Sequence, residues 1–161
     1  MDTQKQFQTY ENPELIGKGL DGFVYRISEN HVAKIDEDVT FIDSLKHQYD
    51  ICKKLYEKSI SVPKPEGVFQ IQIKGIPIPA FIMQFIEGFN IKKIKDSPDL
   101  MKQLKLSADD VNRICYLHTA EVIKAERLGF HPTDGGYNNG IWSPSENKNY
   151  LIDFSYWKET N

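Results

Sequence analysis

Between residues 14 and 35 the chain alternates apolar or aromatic with polar side chains in three short runs, the period-two signature of half-buried strands. The second run, Phe23-Val24-Tyr25-Arg26-Ile27, follows Gly17, Gly19 and Gly22, and turn-forming Ser28-Glu29-Asn30 separates it from the third, His31-Val32-Ala33-Lys34-Ile35. The pattern predicts a three-stranded meander with the glycines in its first hairpin and Lys34 on its third strand. Over 38–58 the period changes: Val39, Ile42, Leu45, Tyr49, Cys52 and Leu55 recur at three- and four-residue steps, predicting an amphipathic helix. Pro63, Pro65 and Gly67 end it. Residues 68–73 alternate again, Lys74-Gly75 turns the chain, and 79–86 is a mostly apolar strand. Together these segments predict five antiparallel strands carrying one helix.

A compositional break at Glu87-Gly88-Phe89-Asn90 marks an expected boundary between two lobes, 1–87 and 88–161. After it, 92–105 is lysine-rich and weakly periodic, with a short helix expected near Ser97-Pro98; its charges read first as a solvated face. Ser107 and Asp110 have capping-box spacing ahead of a helix whose stripe is Val111, Ile114, Cys115, His118 and Val122, ending near Gly129. Residues 130–139 read as a glycine- and asparagine-rich loop. Ile141-Trp142 and Tyr150-Leu151-Ile152 then form a short hairpin with Asp153 at its exit. The twelve N-terminal residues are polar and are expected to be loosely docked.

Composition bounds the function classes. At 161 residues, 40% hydrophobic and 27% charged, the chain suits one ordinary globular domain or two small lobes. No apolar run reaches membrane-spanning length, and the polar start lacks a signal core, so residence in a cytoplasm is expected, the host's if the protein is a delivered effector. A formal charge of −3 argues against general nucleic-acid binding. Cys52 and Cys115 read as buried small hydrophobes in a reducing compartment.

Two clusters carry chemistry. Gly17, Gly19 and Gly22 allow a hairpin backbone to approach a polyphosphate, and Lys34 on a neighbouring strand can neutralise part of its charge. The glycines lead into a strand rather than a helix, which disfavours a dinucleotide-binding turn. Near the end, Asp134, Asn139 and Asp153 supply the oxygen donors that Mg²⁺ prefers, although the same residue types also build turns.

In this order the two clusters resemble the protein-kinase superfamily, over nearly the whole chain. Gly17, Gly19, Gly22 and Val24 match its G-x-G-x-x-G-x-V loop, Lys34 its strand-three lysine, Asp134 and Asn139 its D-x-x-x-x-N spacing, and Asp153-Phe154-Ser155 its Asp-Phe-Gly motif. The resemblance implies an α+β, kinase-like fold: a five-stranded antiparallel N-lobe with one helix, and a minimal, mainly helical C-lobe. It implies ATP and Mg²⁺ as cofactors, with adenine received at Met83, Gln84 and Ile86, metal held by Asn139 and Asp153, and Asp134 and Lys34 as catalytic residues transferring the γ-phosphoryl group to a Ser/Thr hydroxyl, the chain's own among the candidates. The departures favour a second reading. Gln48 stands where a helix glutamate pairs with the lysine, with Asp50 nearby, Pro132 and Thr133 replace His and Arg, Ser155 replaces glycine, and only six residues follow Ser155. A pseudokinase, or a kinase-shaped module binding a regulatory protein partner without phosphoryl transfer, is therefore the alternative. A small-molecule kinase ranks last, because such enzymes carry a larger acceptor lobe. Trp142, Tyr156 and Trp157 are expected to close the core of a truncated C-lobe. Apolar surface left exposed there would be covered by a homodimer or a partner.

Overall fold

The computed structural model describes residues 9–19, 21–38 and 42–160; Val39 of the helical stripe lies outside them. Six strands form the largest sheet: β1 (Thr9–Tyr10), β2 (Glu14–Gly19), β3 (Gly22–Arg26), β4 (His31–Asp36), β5 (Pro65–Ile73) and β6 (Ile76–Gln84), with α1 (Ile42–Glu57) between β4 and β5. Their spatial order is β1-β5-β6-β4-β3-β2, and β1 runs parallel to β5, pairing Thr9 with Gln72 and Tyr10 with Ile73. This corrects the five-stranded antiparallel lobe implied by the resemblance: the sheet is six-stranded and mixed. Tyr10 anchors β1 on the sheet. It packs among Ile71, Ile73 and their neighbours on the sheet's outer face, and burial pushes its phenol up to about 12.

The second half is likewise less helical than the resemblance implied. Helices α2 (Ile91–Asp96), α3 (Pro98–Gln103) and α4 (Ala108–Arg127) share it with β7 (Phe89–Asn90), β8 (Phe130–Pro132), β9 (Gly140–Ser143), β10 (Lys148–Leu151) and β11 (Trp157–Glu159). β7, β9 and β10 form one small sheet and β8 with β11 another. Residues 130–132, read from sequence as loop, become a strand because Trp157, Lys158 and Glu159 arrive to pair with them. Three residues carry too short a pattern to signal that partner. Ser107 and Asp110 do form the capping box that starts α4.

Alternation decides which side chains build the site. On the inner face of the large sheet Val32, Phe81 and Met83 meet Leu45, Cys52 and Leu55 of α1, and the same cluster takes in Phe130, Leu151, Phe154 and Trp157 from the other half. The core thus runs continuously across the expected boundary at residue 87. Phe154 and Trp157 are almost fully buried in it, each contributing roughly 2–3 kcal/mol. They anchor the segment that carries Asp153 and Ser155. Trp142 is buried in a third cluster with Ile91, Ile94 and Ile114, whereas Tyr156 is 57% exposed, so of the three late aromatics only the tryptophans close core. No helix among the described residues is long and apolar enough to cross a membrane.

Candidate functional site

Lys34 sits at the centre of the inner sheet face. Strand register places Gly17 opposite Val24, Val24 opposite Lys34 and Lys34 opposite Phe81, so the first glycine lies two strands, about 10 Å, from the lysine. Lys34 is only 7% exposed. A buried ammonium needs a counter-charge, and it finds one 119 residues away: Nζ donates to Asp153 Oδ1 at 2.8 Å and to Ser155 Oγ at 3.0 Å. Ser155 in turn donates to Asp153 Oδ1 from its hydroxyl at 2.8 Å and from its backbone N–H at 3.3 Å. Burial works against the charge on Asp153, but the Lys34 ammonium and the bonds from Lys34 and Ser155 outweigh it and hold the carboxyl below its ordinary value. Its backbone is left-handed (φ 61°), a conformation uncommon outside glycine and found disproportionately at functional positions. All of these bonds fall on Oδ1, which leaves Oδ2 without a partner among the described residues.

The 134–139 loop is fastened next to this pair. Asp134 Oδ1 accepts the Gly136 N–H at 3.1 Å, its backbone oxygen accepts Asn139 Nδ2 at 2.8 Å, and the Asn139 carbonyl accepts the N–H of Ile152, the residue before Asp153, at 2.9 Å. From beneath, buried His118 Nε2 donates to the Gly135 carbonyl at 3.1 Å. Burial lowers the pKa of His118, so it serves this loop as a neutral imidazole. Asn139 and Asp153 are hard oxygen donors on adjoining segments, a set that fits Mg²⁺ completed by water or phosphate oxygens. No cluster of three or more His, Cys, Asp and Glu suited to a metal occurs among the described residues.

The glycine hairpin closes over the same region. Tyr156 donates its hydroxyl to Asp21 Oδ1 at 2.6 Å, while its carbonyl accepts from Thr133 Oγ1 at 2.9 Å, so hairpin, loop and post-Asp153 segment are linked through one residue. The glycines differ in what the fold asks of them. At Gly22, with φ 145°, a Cβ would stand 2.0 Å from the Ile35 carbonyl oxygen, whereas at Gly19 it would meet nothing within 4 Å. Packing therefore demands glycine at position 22 and makes no such demand at position 19.

The remaining expected positions are less unified. Neither Gln48 nor Asp50 bonds Lys34: Gln48 is buried with Nε2 on Ser44 Oγ at 3.4 Å and Oε1 unpartnered, and Asp50 is exposed. Met83 is buried in the core, and Gln84 and Ile86 line a cavity of about 290 Å³ with Arg26, Phe85 and Glu87. Lys34, Asp153 and the glycines do not line that cavity. The sequence does not signal the role of Ser155, the Tyr156–Asp21 bond or the support from His118. The first was visible only as a departure from glycine, and the others are contacts between distant segments that no local pattern encodes. Comparison with protein-family models gave no match, and comparison with curated proteins gave none.

Proposed function

We propose that this chain binds ATP with Mg²⁺ between the glycine hairpin and the Lys34–Asp153 pair and transfers the γ-phosphoryl group to a serine or threonine hydroxyl. The observation that carries this reading is the bond between Lys34 and Asp153, two residues singled out in separate clusters 119 positions apart. Hairpin amides and Lys34 bind the phosphates. Asn139 and Asp153 hold Mg²⁺, which neutralises phosphate charge when bound. Asp134, exposed and with Oδ2 unengaged among the described residues, accepts the proton as the acceptor oxygen bonds to the γ-phosphorus, the bond to the β-phosphate oxygen breaks and ADP departs. Positioning and charge complementarity supply the acceleration.

One observation favours a second reading, a kinase-shaped module that binds a partner without transfer. Lys34 is already engaged by Asp153 and Ser155, so phosphates must displace a bond the chain makes with itself. Thermal unfolding with millimolar ATP, with and without Mg²⁺, separates the two, because a ligand of the folded state raises the midpoint by mass action. A Mg²⁺-dependent rise with label transfer from γ-labelled ATP supports the enzyme. No rise favours the module.

A further inference from the structure

Beside the 134–139 loop lies a second cleft, of about 540 Å³, lined by Asn90, Lys92, Lys93, Asp96, Leu100 and Asn138 among others. We propose that it docks an acidic peptide segment, the acceptor of the transfer reaction; the word acceptor rests on the phosphoryl-transfer reading, whereas the docking does not. The cleft's floor is rigid. Ile91 and Ile94 of α2 are fully buried, Asn90 caps the helix through its Oδ1, and Asn90 Nδ2 donates to the Asn138 carbonyl at 2.7 Å. That last bond seats the cleft directly on the loop bearing Asp134.

Its charge is opposite to that of the chain. Residues 92–105 carry five lysines against two aspartates, in a protein whose formal charge is −3. Lys92 pairs with Asp96 one helical turn away and keeps that carboxyl ionised, so the pair is neutral as a unit and the surplus positive charge of the cleft wall rests on Lys93. The Lys93 backbone N–H donates to Asn90 Oδ1 at 3.2 Å, but its ammonium has no hydrogen-bond or ion-pair partner among the described residues, although both its neighbours in the cleft wall, Asn90 and Asn138, are bonded to each other. Lys95 stands over the Tyr137 ring, 6.0 Å from its centroid, on the loop side. An exposed ammonium that the chain leaves unpaired attracts carboxylates and repels basic segments. The hydrophobic Leu100 offers contact to the body of a peptide, which free inorganic anions lack.

Fluorescence anisotropy tests this on the full chain, with labelled serine-containing peptides flanked either by Asp and Glu or by Lys and Arg, and an unlabelled single-stranded oligonucleotide as competitor. The acidic peptide is expected to bind preferentially and to weaken with added salt. The double variant Lys92→Gln/Lys93→Gln should lose roughly fivefold or more in affinity, while Lys58→Gln, an exposed charge just past the end of α1, should not. Equal binding of acidic and basic peptides, binding of neither, equal loss in the Lys58 variant, or stronger displacement by the oligonucleotide than by unlabelled acidic peptide each overturns the proposal. ATP-dependent thermal shift of the wild type reads the parent reading separately: acidic-peptide binding without a shift leaves a docking cleft and removes the enzyme, and a shift with no acidic preference does the reverse.

Discussion

The phenol of Tyr156 donates a 2.6 Å hydrogen bond to Asp21 Oδ1 and thereby fastens the tip of the glycine hairpin to the segment following Asp153. Under the proposed function the nucleotide sits beneath this hairpin, so the bond opposes the hairpin movement that would admit it. The donation also raises the phenol's pKa, since the Asp21 carboxylate stabilises the protonated form.

Tyr156→Phe removes this fastening and no core contact, because the side chain is largely exposed. Hydrogen exchange at the amides of the β2–β3 hairpin should accelerate, while α4 stays unchanged. ATP affinity should rise, because the open conformer becomes more populated. Unaltered exchange at the hairpin would show that the bond does not hold it.

Gly22 and Gly19 should separate in their effects. Gly22→Ala drives a Cβ into the Ile35 carbonyl and is expected to cost roughly 2–4 kcal/mol, a fall of roughly 5–15 °C in Tm. Gly19→Ala meets open space and should shift Tm little while weakening nucleotide binding. Calorimetry and a binding titration on both variants check the pair. Equal stability of the two would contradict the packing argument.

Lys34→Ala and Asp153→Asn should each abolish label transfer from ATP. Lys34→Ala leaves a carboxylate that stays partly exposed, with 39% of its side-chain surface in water, so the fold should survive. Retained transfer in both variants, with circular dichroism unchanged, would exclude the mechanism.

Burial keeps the pKa of His118 below its ordinary value of 6.5, so the unfolded chain takes up a proton that the fold refuses. The stability associated with this group is complete above about pH 6.5 and declines as the pH falls below it. His118→Gln should flatten that decline, whose slope for one proton is at most about 1.4 kcal/mol per pH unit. Urea titrations of both proteins between pH 7.5 and pH 5 provide the comparison. Identical slopes would show that His118 is not the group responsible.

What the sequence revealed, and what it hid, follows from the range of each interaction. Alternation around Phe23-Val24-Tyr25 and the three-four spacing through Leu45, Cys52 and Leu55 are local, and the strands and helix they predict occupy those places. Lys34 stands out in a glycine-led meander and Asp153 at a strand exit, and the fold joins the two by a 2.8 Å hydrogen bond. The parallel pairing of Tyr10 with Ile73 and the antiparallel pairing of Trp157 with Pro132 join segments too short for a period to register, which is why the sheet has a sixth strand and the loop after Gly129 is β8. Ser155 read as a loss of backbone freedom. In three dimensions its hydroxyl is instead a third member of the Lys34–Asp153 network.

A crystal structure of the chain with a non-hydrolysable ATP analogue and Mn²⁺ tests the account most directly. The triphosphate is expected under the Gly17–Gly22 hairpin and against Lys34, with anomalous signal for the metal at coordination distance from Asp153 and Asn139. Nucleotide bound elsewhere, or an intact Lys34–Asp153–Ser155 network with no nucleotide beside it at saturating concentration, would contradict it.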